Sequence, residues 1–134
     1  MMRAILCRPG EDTIQDRFPI IKDAKNTYFL SLWVSVSGVS TYVGTGALER
    51  VDLVTYSAHI YVLPEYRTGE VLKQISEQWL ECRAIKQLIH DIRIKKLVTS
   101  CSYDNEGVHR LMEGMGFNPK AHWIGFLDVE KYYV

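Results

Sequence analysis

The sequence predicts an α/β protein with a mixed sheet, in which an antiparallel meander is followed by strand, helix, strand, helix and strand. From Tyr28 onward apolar and polar side chains alternate, which is the period of a half-buried strand. Between residues 69 and 89 apolar side chains instead recur every three or four positions, the period of an amphipathic helix. The short apolar run at 97–101 precedes a second helical pattern, and this order implies helices packed on a sheet.

The amino-terminal half is predicted to form the meander. Residues 3–8 read as a short first strand that a Pro-Gly pair closes, and residues 11–25 are a weakly amphipathic stretch. The three strands that follow are expected at residues 28–37, 40–51 and 55–63. Gly38 supplies a hairpin turn between the first two of these, and Pro64 ends the third.

The carboxy-terminal half is predicted to add two helices and two strands. The helix at 69–89 presents one continuous apolar stripe, and residues 97–101 read as a buried strand. Asn105 can cap a second helix, and Gly116 stops it, as a glycine after the last helical turn does. Residues 122–129 supply a last strand.

The run Gly44-Thr45-Gly46 resembles the beginning of a dinucleotide-binding fingerprint. The third glycine and the helical pattern that should follow are missing, so the run instead predicts a bulge or turn within a strand.

Composition excludes several classes of function. Sixteen basic side chains balance sixteen acidic ones, whereas a non-specific nucleic-acid binder normally carries a basic excess. No apolar run reaches membrane-spanning length, and the apolar segment at the amino terminus is too short for a signal peptide. Three cysteines without close spacing indicate free thiols in a reducing compartment, and four scattered histidines do not predict a metal site. We therefore expect one cytoplasmic domain, residues 1–134, with no metal, nucleic-acid or membrane partner.

Two stretches of the sequence resemble the motifs of the GNAT superfamily, the acetyl-CoA-dependent N-acetyltransferases. Residues 59–69 read H-I-Y-V-L-P-E-Y-R-T-G and are similar to the strand and loop that begin the family's cofactor motif, V-x-P-x-Y-R. Residues 104–117 read D-N-E-G-V-H-R-L-M-E-G-M-G-F and are similar to the family's second motif, D-N-x-x-A-x-x-L-Y-x-x-x-G-F. A helix and a strand separate them, as in the family, and the resemblance covers roughly residues 55–127.

The resemblance implies that acetyl-CoA is the donor substrate. In the family, two neighbouring parallel strands splay apart and the pantetheine arm of the cofactor pairs with exposed backbone, which places Ile60, Tyr61 and Val62 beside the arm. The pyrophosphate would lie at the start of the long helix, where free backbone N–H groups and the helix dipole favour anions. The residues implied there are Arg67, Thr68, Gly69, Glu70, Val71 and Leu72. Asn105 either reaches the cofactor from the other side or only caps its helix.

Several positions depart from the family pattern. Glycine is expected where this chain has Glu70 and Leu72, and an inward carboxylate would repel a diphosphate. The family's tyrosine acid is replaced by Met112, and the acidic base that some members carry on the later strand is replaced by Ser100. The candidates to take over proton transfer are His59, Tyr61 and Tyr103, each of which also has an ordinary structural interpretation as a half-exposed residue.

Two functions from different classes follow from these features. The first is an N-acetyltransferase that transfers an acetyl group from acetyl-CoA to an amine of a small molecule or peptide. The alternative is a protein of the same fold that has lost the chemistry and serves as an interaction or structural protein, because short GNAT-like proteins of bacteriophages resemble this chain. Aromatic residues near Trp33 and at the carboxy terminus are compatible with a homo-oligomer.

Overall fold

The computed structural model describes residues 2–7, 26–100, 106–120 and 124–128, and within them seven strands form one sheet. The strands are β1 (Arg3–Cys7), β2 (Thr27–Val36), β3 (Val39–Arg50), β4 (Thr55–Val62), β5 (Lys96–Ser100), β6 (Asn118–Lys120) and β7 (Ile124–Asp128). The helices are α1 (Gly69–Gln78), α2 (Arg83–Asp91) and α3 (Glu106–Gly114). The strand order is β1-β2-β3-β4-β5-β7-β6, and β4 and β5 are parallel whereas the other described pairs are antiparallel. The predicted mixed α/β sheet is confirmed.

The meander β1–β4 forms as predicted. Ser37 and Gly38 turn the chain between β2 and β3 with φ values of 50° and 82°, and positive φ at both central residues is typical of a two-residue hairpin. The register shifts between Leu32 and Trp33, which pair with Gly44 and Tyr42, so Val43 is an extra residue in β3. The bulge predicted around Gly44 therefore exists, one residue earlier. The weakly amphipathic stretch 11–25 lies outside the described residues.

Strand β2 is buried on both faces at its centre, whereas the alternating pattern predicts burial of one face. Phe29 and Ser31 point away from the helices, yet both are buried. Ser31 is hydrogen-bonded on both sides, because its hydroxyl donates to the carbonyl of Ile5 and accepts from the indole N–H of Trp33. Because its hydroxyl has both a donor and an acceptor partner, Ser31 can be buried without an unpaired polar group.

The helix predicted at residues 69–89 is two helices, and this corrects the sequence expectation. Residues Trp79–Glu81 form a 3-10 turn, and Cys82 is extended, with φ and ψ of −65° and 125°. The indole N–H of Trp79 donates to the carbonyl of Met115 at 2.9 Å, and its ring stacks on Phe117. The apolar stripe continues through the break, which is why side-chain spacing alone does not show it.

The carboxy-terminal part follows the prediction with one addition. Helix α3 ends at Gly114 and the chain leaves it through Gly116, whose φ is 102°; the amide of Phe117 donates to the carbonyl of Met112, as in a Schellman motif. Two strands rather than one follow, because β6 precedes β7 and pairs with its outer edge. An edge position accommodates Pro119, which has no N–H to donate. Asn105, the predicted cap of α3, lies outside the described residues.

The main apolar core lies between the sheet and the three helices. Every helix contributes to it, and its most deeply buried members are Val34, Val43, Val71, Ile75, Ile94 and Leu97. None of the helices in the described ranges is long and apolar enough to cross a membrane.

Candidate active site

Strands β4 and β5 separate part of the way along the sheet. They pair with each other from Thr55 and Lys96 to Ser57 and Val98; beyond that point β4 pairs only with β3 and β5 only with β7. The hydroxyl of Thr99, which is 3% exposed, donates to the carbonyl of Ala58 at 3.0 Å. A side chain thus bridges the two strands where the next backbone hydrogen bond would stand. The result is a gap between the carboxyl-terminal halves of two parallel strands, the site where α/β sheets bind ligands.

We expect Thr99→Val to widen or distort this gap. The substitution keeps the shape of the side chain but leaves the carbonyl of Ala58 without its donor, which costs about 1–2 kcal/mol. Urea unfolding measures the loss, and Thr99→Ser is the control because it keeps the hydroxyl. A Thr99→Val protein as stable as Thr99→Ser would show that the bridge contributes nothing.

A cavity of about 520 Å³ extends from the gap toward the helices. Its lining residues come from β4, the loop after it, α1 and α3, and they are Ile60, Tyr61, Val62, Arg67, Leu72, Gly107 and Leu111. Five of these seven were expected from the sequence, whereas Gly107 and Leu111 were not. The signal for these two is present in the sequence, since they lie four residues apart and therefore on one face of α3.

The backbone of β4 offers the gap fewer groups than the sequence predicts. The carbonyl of Ala58 points toward β5, so the peptide groups of Ile60 and Val62, on alternate residues, point the same way. The carbonyl of Tyr61 instead lies against Gly44 of β3. Tyr61 is among the residues that line the cavity, but the expectation that its carbonyl faces the gap is corrected.

The start of α1 leaves part of its backbone available to an anion. Thr68 caps the helix, because its hydroxyl accepts from the amide of Val71 and its carbonyl accepts from the amide of Leu72. These two amides are therefore used within the helix, and the side chain of Val71 is buried. The amides of Gly69 and Glu70 have no acceptor among the described residues. A phosphate would meet two helical N–H groups there, fewer than the sequence predicts.

The carboxylate of Glu70 is held away from the helix axis by the hairpin. The amide of Ser37 donates to Glu70 Oε1 at 3.1 Å, which ties α1 to the turn between β2 and β3. One turn later Gln74 hydrogen-bonds both the amide and the carbonyl of Ser35, at 3.0 and 2.6 Å. Glu70 therefore anchors the hairpin to α1, a role that the sequence does not suggest.

Arg67 links the loop after β4 to the strand itself. Its Nε donates to the carbonyl of Val62 at 2.8 Å, and its guanidinium lies 5.3 Å from the ring centroid of Tyr61. The contact with the ring is a cation–π interaction. The guanidinium is thereby held at the mouth of the cavity, where its charge can meet an anionic ligand.

The other face of β4 carries a histidine–carboxylate pair. Ile60 and Val62 pack into the core under the helices, so His59 and Tyr61 point to the opposite face. His59 Nε2 lies 3.3 Å from Glu49 Oε1, with the two side chains 12% and 20% exposed. Burial lowers the pKa of His59, while the hydrogen bond to Glu49 and its charge raise it in part. The net lowering keeps the ring neutral at neutral pH. Glu49 was not foreseen from the sequence.

The positions that depart from the family pattern are only partly described. Met112 is buried, and its Sδ lies 3.6 Å from the hydroxyl of Thr99, so it fills the space beside the gap with an apolar side chain. Ser100 ends β5, and nothing is described of its side chain. Tyr103 lies outside the described residues, as Asn105 does. Within the described ranges, no three His, Cys, Asp or Glu side chains are placed to hold a metal ion.

The comparisons with known proteins give structural matches. No protein-family model and no curated protein sequence matches the chain. Spermidine N-acetyltransferase from Vibrio cholerae, solved with CoA and spermine, superposes with a TM-score of 0.62 at 12% identity, over 90% of this chain and 76% of that one. N-acetyltransferase PseH from Campylobacter jejuni, solved with acetyl coenzyme A, has a TM-score of 0.55 at 12% identity, over 82% and 72%.

A GNAT-family acetyltransferase from Bacillus anthracis is also similar, with a TM-score of 0.55 at 14% identity, over 76% of this chain and 66% of that one. Identities this low show a shared fold. The chain therefore has the GNAT acetyltransferase fold, as the two sequence motifs imply.

Proposed function

We propose that the protein is an N-acetyltransferase that takes acetyl-CoA as donor and a primary amine, on a small molecule or a peptide, as acceptor. One observation carries this proposal: the half of β4 that does not pair with β5 and the first turn of α1, at Leu72, border the same cavity. The peptide groups of Ile60 and the N–H of Val62 suit the amides of a pantetheine arm, which would bind as an added strand does, whereas the carbonyl of Val62 already accepts from Arg67. The N–H groups of Gly69 and Glu70 suit the pyrophosphate.

The two faces of the sheet would then have different roles. The donor would occupy the helix side, because Leu72, Gly107 and Leu111 line the cavity there. The acceptor would approach from the opposite face, where His59 and Tyr61 point. The thioester would lie in the gap, within reach of both. His59 is the proposed base, and Tyr61 or Tyr103 the proposed proton donor to the departing thiolate.

The binding test is thermal unfolding and titration calorimetry with acetyl-CoA. A ligand that binds only the folded protein stabilises it by about 2.7 kcal/mol at one hundred times its Kd. Release of free thiol from acetyl-CoA, measured against a panel of amines and peptides, then tests the chemistry. Absence of both heat and stabilisation at millimolar acetyl-CoA would contradict the proposal.

Arg67→Ala is expected to weaken acetyl-CoA binding by about tenfold, because it removes a charge beside the pyrophosphate and frees the carbonyl of Val62. Calorimetry at low and high salt should show the larger effect at low salt, where charges are screened less. Arg67→Lys is the matched control, since it keeps the charge but loses the Nε hydrogen bond. Unchanged affinity in Arg67→Ala would place the phosphates elsewhere.

An interaction role remains the second candidate, and the edge strand supports it. Ile5 and Leu6 on β1 are 47% and 53% exposed, and a groove of about 710 Å³ lies between β1 and the start of α2. Exposed apolar residues on an edge strand favour pairing with another chain. The occupant we propose is a second copy of this chain, with β1 antiparallel to its equivalent. Sedimentation equilibrium tests this, and a dimer that neither binds acetyl-CoA nor releases thiol would favour the interaction role.

A further inference from the structure

We propose that Gln74 is a positioning residue, which holds the first turn of α1 in the place required to bind the pyrophosphate of acetyl-CoA. The inference rests on the proposed acetyl transfer and adds to it a residue outside both sequence motifs, acting together with the β2–β3 hairpin. Among the described residues, neither Gln74 nor this hairpin turn lines the cavity, so Gln74 acts on the donor only through α1.

Side chains on one face of α1 fasten the helix to the β2–β3 hairpin. The side chain of Gln74 accepts from the amide of Ser35 at 3.0 Å and donates to the carbonyl of Ser35 at 2.6 Å. Its nitrogen also donates to the carbonyl of Glu70 at 3.2 Å. Oε1 of Glu70, one turn nearer the start of the helix, accepts from the amide of Ser37 at 3.1 Å. The first two turns of α1 are therefore bonded to the end of β2 and to the turn that follows it.

The opposite face of α1 borders the cavity. Leu72 lies two residues from both Glu70 and Gln74, which places it about 200° away around the helix. Its side chain is one of those that line the cavity. Helix α1 is thus held from the hairpin side, while its other side forms a wall of the proposed donor site.

The two halves of the donor would contact different elements. The pantetheine arm would pair with β4, whereas the pyrophosphate would meet the amides of Gly69 and Glu70 on α1. One donor molecule gains from both contacts only if α1 and β4 keep a fixed separation. Gln74 sets this separation, because it bonds α1 to β2, which pairs with β3, and β3 pairs with β4. Misplacement of a binding group by about 1 Å can cost as much as about a hundredfold.

The experiment compares Gln74→Met with Gln78→Met. Both substitutions introduce an apolar side chain of similar length without a change of charge, and both remove hydrogen bonds from α1 to backbone of the amino-terminal half. Gln78, the last residue of α1, accepts from the amide of Met2 at 2.8 Å, so it fastens the end of the helix far from the phosphates. We expect calorimetry to show acetyl-CoA binding weakened about tenfold in Gln74→Met and unchanged in Gln78→Met.

A second donor separates positioning from a general loosening of the protein. S-acetylpantetheine has the thioester and the arm but no pyrophosphate, so Gln74→Met should bind it as wild type does. Equal losses for the two donors in Gln74→Met would overturn the inference, and so would an unchanged Kd of acetyl-CoA. Either result would leave acetyl transfer intact. Failure of the wild-type protein to bind acetyl-CoA would instead overturn the proposed function and this inference together.

Urea unfolding shows whether both glutamine variants are folded, and a second pair decides the question if Gln74→Met is not. Glu70→Gln removes the charge but keeps an oxygen that can accept from Ser37, whereas Glu70→Met removes both. Glu70 is exposed, so neither change disturbs the core. Because the two variants differ in the bond to the hairpin, acetyl-CoA should bind about threefold more weakly to Glu70→Met. Equal affinities in this pair would then overturn the inference.

Discussion

Gly44→Ala is expected to destabilise the protein by about 3 kcal/mol or more and to abolish acetyl-CoA binding at micromolar ligand. A Cβ at this position would overlap the carbonyl oxygen of Tyr61 and lie 3.0 Å from the Cα of Val62. Both atoms belong to the backbone of β4, which cannot yield as a flexible side chain does, and overpacking of this kind costs about 1–3 kcal/mol or more. The strand that must move is the one that borders the gap.

Gly46→Ala is the matched control, two residues along the same strand. Its Cβ would meet nothing closer than 3.8 Å, and a small void of about 50 Å³ lies beside it. Because alanine restricts the unfolded chain, we expect it to stabilise the protein by about 0.4–1 kcal/mol. Urea unfolding and calorimetry with acetyl-CoA measure both variants. Similar stability and affinity for the two would contradict the close approach of β3 and β4 at Gly44.

Trp79→Ala is expected to cost about 3–5 kcal/mol, as removal of a buried aromatic side chain does. The indole is 6% exposed, stacks on Phe117 at a centroid distance of 6.0 Å, and donates its N–H to the carbonyl of Met115. These contacts join the break between α1 and α2 to the end of α3, which carries Leu111 at the cavity. A loss of this size is a large part of the 5–15 kcal/mol typical of whole-domain stability.

Trp79→Phe separates packing from hydrogen bonding at this position. It keeps a ring against Phe117 and removes the donor to Met115, so we expect a loss of about 1–3 kcal/mol, smaller than that of alanine. Chemical unfolding gives both stabilities, and acetyl-CoA titration shows whether α3 has shifted. If Trp79→Phe were as damaging as Trp79→Ala, the hydrogen bond rather than the packing would hold the helices together.

How far the site could be foreseen differs from residue to residue. Ile60, Val62, Arg67 and Leu72 follow from one motif, and all line the cavity. Glu49 could not be found, because its partner His59 is ten residues away and the pairing depends on the register of β3 and β4. The contact between Glu70 and Ser37 spans 33 residues, so it could not be predicted from the sequence either. It adds to Glu70 a structural role as an anchor for the hairpin.

The sequence by itself determined the order of β1 to β5, the hairpin at Gly38, the stop signal for α3 at Gly116 and the two GNAT motifs, whereas it merged α1 with α2 and missed β6. Each of these depends on residues close together in the chain, through side-chain periodicity or backbone conformation at a single glycine. The tertiary structure alone decided where β4 and β5 part, the break after Gln78, the direction of the Tyr61 carbonyl and the pairing of Glu49 with His59. These features arise from strand register and from packing between distant segments, such as Trp79 against Met115. A local pattern specifies which face of an element is apolar, but only the folded chain determines what that face meets.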